Sequence, residues 1–206
     1  MSKNLRREIF ANHRPMLREE EGGTGRTIEG YAVVFGQESH VLWDYDIFRE
    51  VIDAGAVTQA DLDLWDIKMT MWHNRERLLA RRNKGEGTLT LTVDDTGVKY
   101  SFIAPATPDG DTAVELVKRG DIAGASFTFW ADRSAIVEEA GDEDGVPVRH
   151  IRKIAEISEC TLASDPAYPQ TSAEARERRE HDAAKQKRDN EAVIRELREK
   201  AAEAIL

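Results

Sequence analysis

Apolar and polar residues alternate in short runs along most of this chain, and the pattern stops at about residue 172. Ile28 to Phe35 (Ile-Glu-Gly-Tyr-Ala-Val-Val-Phe) is rich in β-formers and closes at Gly36, which predicts a strand. A short strand or turn follows within Asp46–Val57, then a brief helix from Thr58 to Leu64 with Thr58 as its N-cap. Ile67 to Trp72 alternates again and leads into His73, after which Asn74-Arg75-Glu76 reads as a polar turn. Thr88–Val93 and Val98–Ile103 flank Asp94-Asp95-Thr96-Gly97, a hairpin signal.

Asp109–Lys118 carries helical spacing, with Asp111 or Thr112 as cap and Gly120 as the stop. Phe127–Val137 and Val146–Ile157 predict a long hairpin around the acidic turn Glu138–Gly145, and Glu159–Leu162 a last strand. Many strands, hairpin turns and few helices predict an α+β fold: a mainly antiparallel β-barrel or sandwich with inserted helices.

Beyond Ser172, Pro and Gly vanish, and Ile194, Leu197, Ala201 and Ile205 form a thin apolar stripe on a long charged helix. Three regions follow: a polar, flexible segment 1–25, a domain over 26–171, and a charged helical extension over 172–206. The chain has 206 residues and a net charge of −10. Acidic and basic residues balance after Ser172, so the whole excess falls on the domain. An acidic surface argues against a nucleic-acid partner, which needs a basic face to displace counterions. No apolar run nears the roughly 18 residues of a membrane span. One cysteine, Cys160, permits no internal disulfide and fits a reducing compartment. No secretory signal is read, because no apolar stretch follows the basic Met1–Arg7.

The candidate chemistry is sparse. Gly124-Ala125-Ser126-Phe127-Thr128-Phe129 sets Ser126 at the head of an alternating run, so a rigid strand would hold its hydroxyl. Of the five histidines, His13 and His181 lie in charged flanks, His40 in a loop, and His150 between basic neighbours on a hairpin strand. His73 ends a strand, where a sheet can aim it. Glu159 stands in Ile157-Ser-Glu-Cys-Thr-Leu162, a segment otherwise suited to burial. It is either on an exposed face or paired with a cation. Glu156 and Asp165 are its rivals. Cys160 reads as a core thiol or, less simply, a nucleophile. No zinc spacing, phosphate loop or dinucleotide fingerprint is present, so neither a metal nor a cofactor is expected.

Six blocks in order resemble the HK97-type prohead proteases of tailed bacteriophages, serine peptidases related in fold to the herpesvirus assembly protease. They span about residues 26–172: Ile28–Phe35, Phe48–Val57, His73 with Leu78-Leu-Ala-Arg81, Gly97-Val98, Thr107–Gly120 leading into Ser126, and Glu159–Pro169. Trp72 replaces the usual asparagine before the histidine. Ala125 and Thr128 replace Met and Gly around the serine, and Cys160-Thr161 stands where Val-Ser is usual.

The resemblance implies a barrel of the herpesvirus-protease type, with Ser126 as nucleophile, His73 as general base and Glu159 as third member. It also implies cleavage of the scaffolding region of the major capsid protein, and of the protease itself, inside a procapsid assembling in the host cytoplasm. The C-terminal helix then becomes a packaging or self-association segment. The alternative is a weak or inactive assembly protein that retains the protease fold.

Overall fold

A β-sheet whose central strands are covered on both faces organises the molecule. The computed structural model describes residues 5–11, 14–18, 25–39, 41–43, 47–141 and 145–164. In chain order the strands are β1 (Leu5–Ala11), β2 (Met16–Arg18), β3 (Thr27–Val34), β4 (Leu42–Trp43), β5 (Ile47–Ile52), β6 (Asp66–Met71) and β7 (Asn74–Asn83). They continue as β8 (Glu86–Gly87), β9 (Leu89–Val93), β10 (Gly97–Ile103), β11 (Gly124–Ala131), β12 (Ile136–Glu139), β13 (Val148–Ile151) and β14 (Ile154–Ala163). Among the described residues two α-helices interrupt them, α1 (Gln59–Leu62) and α2 (Pro108–Arg119); the helix expected over 172–206 lies outside the described residues.

The first sheet runs β1-β11-β14-β6-β7-β8, the second β2-β3-β10-β9 and the third β12-β13-β5-β4. Pairing is antiparallel except for β13 with β5 and β14 with β6. None of the three closes on itself, so the expected barrel gives way to three open sheets among the described residues. One cause lies after β11. Asp132 accepts hydrogen bonds from the Ser134 backbone N–H and hydroxyl, both at 2.8 Å, and starts a tight turn over Arg133–Ala135. That turn lifts the chain out of the first sheet. The single long hairpin read from 127–157 therefore splits, with β11 pairing β14 and β12 pairing β13 in another sheet.

Other expectations are corrected by local chemistry. The polar 1–25 stretch contributes two strands, one of which, β1, pairs with β11 from Ala125 to Ala131. The turn expected at Asn74–Glu76 lies instead at Trp72–His73, and Asn74 opens a ten-residue strand. Helix α2 is capped by Thr107, whose hydroxyl accepts from the Gly110 N–H, with Pro108 in its first turn. Thr112 lies inside the helix and donates to the Pro108 carbonyl. Asp109 and Asp111 stand in its first turn, and Lys118 and Arg119 in its last, matching the helix dipole. Gly120 ends it at φ 83°, a left-handed conformation that a side chain would resist. At α1 the Thr58 cap expected from the sequence is found, as a reciprocal capping box with Asp61.

The core lies between the first two sheets, where β3 packs against β1 and β11. Ile28, Tyr100, Phe127, Phe129, Met69 and Leu162 are all fully buried there. Phe127 and Phe129 leave the same face of β11 and stack at 5.3 Å. Truncating either to alanine would cost about 3–5 kcal/mol. This apolar face fixes which face the neighbouring residues take.

Candidate active site

Strands buried on both faces normally read as unbroken apolar runs. Strands β11 and β14 break that rule on one face only. Ser126 stands opposite Thr161, and Thr128 opposite Glu159; across the parallel pairing, Thr161 stands opposite Thr70 of β6. All five are fully or almost fully buried. Buried polar groups must find partners or carry a desolvation penalty, so this polar stripe has to be internally bonded.

It is bonded around Glu159. The Thr70 hydroxyl donates to Glu159 Oε1 at 2.8 Å, and the Thr128 hydroxyl lies 3.4 Å from Oε2. Oε2 also meets His73 Nδ1 at 3.2 Å. On the other side of the ring, His73 Nε2 lies 2.9 Å from Ser126 Oγ. Hydroxyl, imidazole and carboxylate thus form one connected line. The serine is 0 % exposed and the carboxylate 1 %, while the imidazole is 21 % exposed.

His73 reaches this line from a strained turn. Met71 pairs with Asn74, leaving Trp72 and His73 as a two-residue hairpin loop at φ 52° and 55°. Both values are left-handed, and such loops favour Asn-Gly or Asp-Gly. For bulky residues the strain costs on the order of 1–3 kcal/mol each. Neighbouring strand β14 supplies the restraint. The Trp72 N–H donates to the Leu162 carbonyl at 3.1 Å, and the His73 N–H to the Thr161 hydroxyl at 2.9 Å. That hydroxyl in turn donates to the Thr70 carbonyl at 3.1 Å. Thr161 therefore ties the turn to both β14 and β6.

The geometry brings together Ser126, His73 and Glu159. The rival Glu156 lies exposed, opposite Trp130, away from the imidazole. Asp165, His13, His40 and His181 lie outside the described residues. Cys160 stands opposite Phe127, buried on the apolar side of β14. Burial, and secondly the Glu159 charge, push its thiol up to about 12, so it is no nucleophile at neutral pH. His150 bonds Asp53 at 2.7 Å on another sheet.

Thr70 and Thr161 are the members that sequence reasoning missed as parts of this site. The signal available was the period of two that sets Thr161 on the face of Glu159. Among the described residues, no three His, Cys, Asp or Glu side chains gather as metal ligands, and no helix is long and apolar enough to cross a membrane.

An imidazole between a hydroxyl and a buried carboxylate is suited to proton transfer during nucleophilic attack by the hydroxyl. Over residues 15–187 the chain matches a family model described as caudovirus prohead serine protease. No curated protein and no solved structure matches it.

Proposed function

Because the chain belongs to the caudovirus prohead serine protease family, we propose that it is a working endopeptidase with Ser126 as nucleophile, His73 as general base and Glu159 behind the imidazole. The observation that carries this reading is the unbroken line from Ser126 Oγ through His73 to Glu159, set in a buried polar stripe.

In this mechanism Nδ1 carries the resting proton and donates to Glu159, which leaves the Nε2 lone pair facing the serine. As Ser126 Oγ attacks a peptide carbonyl carbon, its proton passes to Nε2. The resulting imidazolium is paired by Glu159, whose other oxygen is held by Thr70. Nε2 then gives the proton to the departing amine, leaving an acyl-enzyme. A water molecule, deprotonated by the same nitrogen, releases the acyl group and restores the serine.

The proposed substrates are the scaffolding region of the major capsid protein and the protease itself, cut within the assembling procapsid. The charged segment 172–206 is proposed to carry the protease into that shell. Deleting residues 173–206 should abolish incorporation but leave peptide cleavage intact; incorporation of the truncated chain would sink that assignment.

The decisive test of activity is a fluorophosphonate probe. It should label Ser126 in the wild type, and the self-cleavage fragments seen by mass spectrometry should vanish in Ser126→Ala, with a loss of at least about 10⁴-fold. An unlabelled wild-type serine would leave the inactive assembly protein as the better reading.

A further inference from the structure

Trp72 is out of place by every local criterion. It occupies a left-handed turn position (φ 52°) that suits asparagine or glycine. Its side chain does not recover that cost by joining the core, since the residue is 41 % exposed. A bulky aromatic that is both strained and exposed needs another account.

Its surroundings supply one. The Arg77 guanidinium lies over the ring, 4.5 Å from its centroid. Arg77 is itself held by Asp109 in the first turn of α2, through Nε at 2.7 Å and Nη2 at 2.6 Å. The indole is therefore fixed on one face by a braced cation. It adjoins His73, whose ring reaches Ser126. The same hairpin exposes a second large apolar side chain, Leu78, which stands opposite Thr70 in register.

We infer that Trp72 is a wall of the subsite beside the scissile bond, taking a large apolar side chain of the polypeptide on its open face. This rests on the peptidase reading above. The cation already stacked on the ring disfavours a second one, so the matching substrate residue is aliphatic or aromatic rather than lysine or arginine. A rigid aromatic platform loses little conformational freedom on binding, which suits a specificity wall.

Wild type, Trp72→Asn and Trp72→Phe are each incubated with a proteome-derived peptide library, and cleavage sites are read by mass spectrometry. Tm and the rate of fluorophosphonate labelling at Ser126 are measured in parallel. Wild type should enrich large apolar residues at one position near the cut. Trp72→Asn should lose at least about 5-fold of that enrichment while Tm holds or rises, because asparagine suits the turn. Trp72→Phe should retain the preference, and in Trp72→Asn cleavage at sites bearing the large apolar residue should fall at least about 5-fold further than labelling at Ser126, a split that loss of His73 positioning alone would not give.

A Trp72→Asn profile matching wild type would overturn the assignment. So would a labelling rate that falls in step with peptide cleavage, for then Trp72 only positions His73. A wild-type serine that resists the probe removes the peptidase reading itself, and the subsite with it.

Discussion

Among the described residues two histidines pair with carboxylates, and the shorter contact lies away from the candidate site. His150 Nδ1 meets Asp53 at 2.7 Å, whereas His73 Nδ1 meets Glu159 at 3.2 Å. What separates them is context. Asp53 is 31 % exposed and also faces Arg152 at 3.9 Å, and the far nitrogen of His150 looks toward Glu139, an acceptor with no proton to give. Glu159 is buried among threonine hydroxyls, and the far nitrogen of His73 faces a serine. A half-buried pair whose carboxylate still meets water is partly screened and contributes about 0–1 kcal/mol. A buried carboxylate has only its hydrogen-bond partners and the imidazole, so any charge arising on the ring is felt strongly. The shorter distance belongs to a half-buried pair that water still reaches; the line through a fully buried carboxylate and serine marks the candidate chemistry.

The sharpest way to break this contrast is to remove each ring. His73→Ala should lower kcat/KM on a peptide by at least about 10³-fold, in keeping with loss of a general base. His150→Ala should change it less than about 2-fold. Equal losses would show that the third sheet shares in the site.

Removing each carboxylate charge should give a smaller but parallel split. Glu159→Gln should cost about 10²–10³-fold in kcat, with KM little changed, because the interaction it removes grows as the imidazolium forms. Asp53→Asn should leave kcat unchanged. A Glu159→Gln enzyme with wild-type kcat would reduce Glu159 to a packing group.

Ser126, His73 and Glu159 were each legible in the chain as candidates, because each interrupts a strand pattern or ends one; their joint roles were legible only through the family resemblance. The choice of Glu159 over Glu156 was not, since three residues of spacing orient side chains only once the register is known, and the pairing of β11 with β14 shifts twice in that stretch. Strand β7 was hidden by charge: of its ten residues only Leu79 and Ala80 are buried, so Arg75, Glu76, Arg77, Arg81 and Arg82 disguise a paired strand as a turn. The open sheets were hidden for another reason. Alternation reports that strands exist, but the exit turn at Asp132 decides which sheet the next one joins. Thr70 and Thr161 look like ordinary β-formers until the three strands are laid side by side.

Those threonines allow a finer cut. Thr161→Val keeps the shape but removes the acceptor of the His73 N–H and the donor to the Thr70 carbonyl. It should destabilise the protein by about 1–3 kcal/mol, the cost of leaving buried groups unpaired, and lower kcat/KM about 10-fold by loosening the strained turn. Thr161→Ser restores the hydroxyl and should recover most of both. Denaturant unfolding and peptide kinetics on the same preparations separate the two effects. Failure of the serine variant to recover kcat/KM would show that the threonine methyl, not its hydroxyl, holds the turn.

The smallest expected effect tests whether the apolar side of β14 keeps Cys160 out of the chemistry. Its thiol is pushed up to about 12 from 9.0, chiefly by burial and secondly by Glu159. The folded protein thus resists thiol ionisation, while the unfolded chain loses the proton near pH 9. Stability linked to this group is intact below pH 9 and falls as pH rises from 9 toward 12, because the unfolded state gains from deprotonation and the folded state does not. The Tm of wild type should therefore drop more steeply between pH 8 and 10.5 than that of Cys160→Ala, whose lost side chain lowers Tm by a similar amount at every pH. If wild type and Cys160→Ala fall along parallel curves, the thiol ionises as readily in the folded protein as in the unfolded chain, and the contrast between an inert apolar side of β14 and a polar side that carries the candidate chemistry fails.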